Sequence, residues 1–76
     1  MNKNTLVNLL KTETVTVAFT KADGSLRTMN ATLVGEEVNA DLTSNEAISV
    51  IDTDLGAYRS FRFDTVKSVN GQSVTL

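Results

Sequence analysis

Cysteine, histidine and proline are all missing from this 76-residue chain, and each absence bears on what it can be. Without cysteine there is neither a disulfide staple nor a thiolate metal site, so the fold rests on packing. Without histidine the commonest general base, the commonest metal ligand and the usual pH switch are gone, which excludes most catalytic constellations. Serine and threonine are abundant, but a hydroxyl nucleophile needs a base, and no spacing here supplies one. Proline is often used to blunt an exposed sheet edge, so edge protection falls to charge, twist or a partner strand. No apolar run approaches the roughly 18 residues of a membrane span, and the start Met1-Asn2-Lys3-Asn4 has no apolar leader region, so a cytoplasmic protein is expected.

What is present fits one small domain over residues 1–76. A chain of this size buries only about 60% of the surface its unfolded state exposes, so self-association into a homo-oligomer would help it. The net charge of −2 argues against a protein that coats DNA, whose affinity would come from neutralised phosphates. The charge is unevenly spread: residues 1–27 carry net +2, residues 28–57 carry six acidic and no basic side chains, and residues 58–76 return to net +2. The acidic residues Glu36, Glu37, Asp41 and Glu46 lack the alternating ligand spacing of a calcium loop, and a solvated loop is the expected reading.

Leu6, Leu9 and Leu10 stand at i, i+3 and i+4, predicting a short helix over about 4–11 with Asn4 or Thr5 as its cap. From Glu13 the period becomes two: Val15, Val17 and Phe19 alternate with polar or small residues, as in a half-buried strand over 13–20. Asp23-Gly24 marks a turn, and a second strand over 26–33 places Met29, Ala31 and Leu33 inward together with Arg27. Residues 34–46 read as a long loop, followed by strands over 47–52, 58–64 and 65–69. Asn70-Gly71 is the preferred two-residue hairpin turn and makes 72–76 the partner of the last strand. The expected fold is mostly β, a small five-stranded SH3/Sm-like barrel with a short N-terminal helix; an OB-fold fragment or an open meander are the alternatives.

Two stretches carry a family resemblance: VTVAFTKADGSLRTMNATL, from Val15 to Leu33, and RSFRFDTVKSV, from Arg59 to Val69. Together they resemble the small phage-encoded family grouped with WYL domains on an Sm-like SH3 barrel. The resemblance implies that barrel, a phage origin, residence in the cytoplasm of the infected bacterial host, and a role in binding or regulation during infection through sensing of a nucleotide or nucleic acid. It also implies assembly through edge strands.

Arginine is the residue type that binds phosphate or carboxylate bidentately, and the chain has three. Arg27 and Arg59 each follow a glycine turn and project on the face assigned to the core, so in a meander they would converge on one rim pocket. Tyr58, beside Arg59, would add a stacking surface and a hydroxyl donor. Arg62 and Lys21 are further candidates for contact with an anion. The competing structural reading pairs Arg27 and Arg59 with Asp52, Asp54 or Asp64 at the rim. No catalytic residue, metal or cofactor is expected. A second function class is an inhibitor or adaptor that grips a basic surface of a host protein through the acidic segment 34–54.

Overall fold

The computed structural model describes residues 1–37 and 41–76. Helix α1 spans Lys3–Thr12, one residue longer at each end than expected. Its cap is Asn2, whose side chain accepts from the Thr5 N–H at 2.9 Å, in place of Asn4 or Thr5. The buried face is Leu6, Val7 and Leu10, with Leu9 half-buried. The Leu33 N–H donates to the Leu10 carbonyl at 2.8 Å, fastening the C-terminal half of α1 to the sheet.

Six strands follow: β1 Val15–Thr20, β2 Leu26–Thr32, β3 Ala47–Asp52, β4 Ala57–Arg62, β5 Val66–Val69 and β6 Gln72–Ser73. They form one antiparallel sheet in the order β4-β3-β2-β1-β5-β6, so the closed five-stranded barrel expected from the sequence is instead a six-stranded sheet whose two edges do not pair. The expected strand 58–64 stops at Arg62, because Phe63–Thr65 turns as a short 3-10 helix; a second such turn, Leu42–Ser44, lies in the acidic loop. Asn70 and Gly71 have φ of 51° and 80°, the two positive values that a two-residue hairpin needs. The Asn70 side chain accepts from the Thr16 N–H at 3.0 Å, tying this hairpin to β1.

Although unclosed by hydrogen bonds, the sheet curls almost into a barrel. β2 and β3 share only two paired positions, Ala31 with Asp52 and Thr32 with Ile51, so the β3–β4 ribbon is free to bend away from the β2–β1–β5 wall. β1 and β4 are three strand steps apart, which in a flat sheet would be about 14 Å. The rings of Phe19 on β1 and Phe61 on β4 are nevertheless 5.5 Å apart and stacked, and Phe61 meets Phe63 edge-on at 6.3 Å. Side chains therefore close the seam that the backbone leaves open. Val15, Val17, Met29, Ala31, Ile48 and Val50 fill the enclosed space, and α1 covers one end of it. Leu26, which opens β2, is exposed.

A cationic cleft at the unpaired seam

Where β4 faces the end of β1 across that seam, a cleft of about 350 Å³ remains. Four of the chain's seven cationic side chains, Lys21, Arg27, Arg59 and Arg62, line it, above a floor of Phe19 and Phe61. No carboxylate is among its lining residues.

Each cation arrives by a local rule. Arg27 is registered opposite Phe19 and shares its inner face; Arg59 is registered opposite Val50, two residues before Phe61, and points the same way. Lys21 opens the β1–β2 turn, its N–H bonded to the Ser25 carbonyl at 2.8 Å and its carbonyl accepting from Gly24 at 2.9 Å, with Gly24 at φ 86°. Asp23 closes that turn by accepting from the Ser25 N–H and hydroxyl at 3.0 and 2.6 Å, and the hydroxyl holds its carboxyl below the usual range. Arg62 belongs by alternation to the outer face, but it ends β4, and the chain's departure into the 3-10 turn leaves it beside the cleft. Its guanidinium forks onto Asp64 at 3.1 and 3.2 Å and lies 3.4 Å from Glu46. The hydrogen bond raises the pKa of Arg62 and lowers that of Asp64.

Arg27 and Arg59 differ in their electrostatic company. Asp52 lies 3.6 Å from Arg27 and is only 3% exposed. Its Oδ1 accepts from the N–H groups of Asp54 and Leu55 at 3.0 and 3.3 Å, pinning the turn that leads into β4. Of the carboxylates that the structural reading offered as partners, Asp52 thus takes Arg27, Asp64 takes Arg62, and Asp54 accepts from the Asn30 side chain at 3.2 Å. Among the described residues no ion pair involves Arg59 or Lys21.

Tyr58 is not part of the cleft. It precedes Arg59 on a strand, so its ring goes to the opposite face, where its hydroxyl donates to Glu36 and is pushed above its ordinary pKa by that bond. Sequence reasoning missed the aromatic floor and the burial of Asp52, whose pairing with Arg27 was among those it offered. Phe61 shares parity with Arg59 and was legible as a neighbour; the Phe19 contact depends on the curl of the sheet, for which no local signal exists. Among the described residues no group of three acidic side chains is placed to hold a metal ion, and no helix is long and apolar enough to cross a membrane.

The helix, the strand order and the side-chain seam define a small Sm-like SH3-type β module with a cationic cleft in its wall. The chain belongs to the WYL_2 family, described as having an Sm-like SH3 beta-barrel fold, which matches residues 3–67 and so takes in the entire cleft. It is also similar to an uncharacterized 11.5 kDa protein from the Gp31-cd intergenic region of Enterobacteria phage T4, with 37% identity over 68 residues, covering 76% of this chain and 67% of the phage protein. The phage affiliation expected from the sequence has support in that relative. No solved structure matches the chain.

Proposed function

We propose that this chain is a non-enzymatic phage accessory protein that takes the phosphate-bearing part of a nucleotide or nucleic acid into the seam cleft. It would act by occupancy, as a regulator or as a sponge for a nucleotide signal of host defence. The observation that carries this reading is the convergence of Lys21, Arg27, Arg59 and Arg62 on one cavity in a chain whose net charge is negative. A guanidinium fork matches phosphate geometry, and a local cationic patch on an otherwise acidic protein favours a compact anion over a long polyanion spread across the surface. The apolar floor of Phe19 and Phe61 offers a base or sugar a surface that water solvates poorly.

The alternative, capture of a host protein by the acidic segment 34–54, has less support. Five of its six carboxylates have partners within the chain: Glu36 with Tyr58, Asp41 with Thr43, Glu46 with Arg62, Asp52 with Arg27 and Asp54 with Asn30.

Titration calorimetry with mononucleotides and short single-stranded oligonucleotides tests the proposal. Arg59→Ala is expected to weaken binding at least tenfold while leaving the melting temperature nearly unchanged, since an exposed side chain without an ion pair contributes little to stability. Equal binding by the wild type and by the Arg27→Ala, Arg59→Ala double variant would end this reading.

A further inference from the structure

The four cleft cations are not equivalent, and the difference lies beneath the cleft. Asp52 is the single charged side chain buried among the described core residues. A carboxylate withdrawn from water needs compensation for both oxygens. Here Oδ1 has the two turn amides and Oδ2 has Arg27. Arg27 cannot leave this position without stranding a buried negative charge, a loss larger than the pair's own net contribution. An anion entering the cleft therefore meets an Arg27 whose charge is already largely matched, and it also feels Asp52 behind it. Arg59, on the opposite wall, has no such counter-charge among the described residues.

Building on the binding reading above, we infer that Asp52 is a positioning residue that holds Arg27 in the cleft wall while restraining the cleft's affinity for anions, so that Arg59 supplies the greater share of the attraction. The conservative replacement is Asn, which keeps an oxygen for the turn amides and removes the charge that matches Arg27.

The test uses a short single-stranded DNA oligonucleotide as probe, titrated at several salt concentrations against the full chain. Asp52→Asn is expected to tighten binding by roughly threefold to tenfold and to steepen the slope of log affinity against log salt by about 0.7, the signature of one more cation engaged. Adding Arg27→Gln to that variant should abolish both gains. A purely structural role for Asp52 would move stability without steepening the salt slope. A folded Asp52→Asn variant with unchanged or weaker binding overturns the inference. Should Asp52→Asn fail to fold, the comparison of single variants decides: Arg59→Gln should cost more affinity than Arg27→Gln, and equal or reversed losses overturn it. Loss of binding in Arg59→Gln with no gain in Asp52→Asn defeats this inference alone, whereas a wild type that binds neither the probe nor a mononucleotide defeats the binding reading with it.

Discussion

The two sides of this curled sheet are held by different forces. On the wall, β1 is flanked by β2 and β5, with six registered positions on one side and three on the other, and backbone hydrogen bonds do the joining. Wall side chains can then be modest: valines inward, and outward residues such as Thr16, whose hydroxyl donates to the Asn30 side chain at 2.8 Å. At the seam no backbone pairing exists among the described residues. Three phenylalanines bridge it, and the Lys3 ammonium sits 4.9 Å above the Phe63 ring. Large rings cannot fill an elongated gap completely, and the remaining space is bounded by the cations that the adjoining strand ends supply. The candidate site is thus a by-product of how the fold closes.

If the seam depends on its aromatic bridge, Phe61→Ala should give the largest effect, a loss of about 3–5 kcal/mol in urea denaturation. A cost below about 1 kcal/mol would mean that the stack does not hold the ribbon over the wall. On the wall side, Asn70→Ala removes the acceptor for the Thr16 N–H and a residue suited to positive φ, and should cost about 1–2 kcal/mol in the same assay.

The smallest effect is a pH dependence at the seam's end. Asp64 has its pKa lowered by Arg62, so its contribution is fully present above the unfolded value of about 4 and disappears as pH falls through the lower folded value. The melting temperatures of wild type and Asp64→Asn should therefore differ slightly at neutral pH and converge on acidification. A gap that widens in acid would show that Asp64 is not held as described.

The wall was legible in the sequence and the seam was not. Alternation fixes the inward set Val15, Val17, Phe19 and Met29, Ala31, Leu33, and Asn70-Gly71 fixes the last hairpin, because both signals are local. The same parity rule sends Tyr58 and Arg59 to opposite faces, so placing both against one ligand conflicted with the strand that carried them. The end of β4 was missed because Phe63 keeps the apolar parity of Phe61 although the backbone has already turned. The capping role of Asn2 went unseen because Asn4 and Thr5 carry equally suitable side chains closer to the first leucine. The approach of Phe19 to Phe61 and the burial of Asp52 follow from the bend at β2–β3, a tertiary event with no periodic trace. Arg27 and Arg59 could be placed on the inner face, but their partners could not be assigned without that bend.

The last hairpin has a bearing on symmetry. β6 covers β5, and the Val74 N–H continues that cover by donating to the Lys67 carbonyl at 3.1 Å. The six-residue β4 is then the long free edge, facing a two-residue strand at the other end of the sheet order. Head-to-tail pairing joins two unlike edges, whereas like edges meet about a two-fold axis and are used up by the meeting.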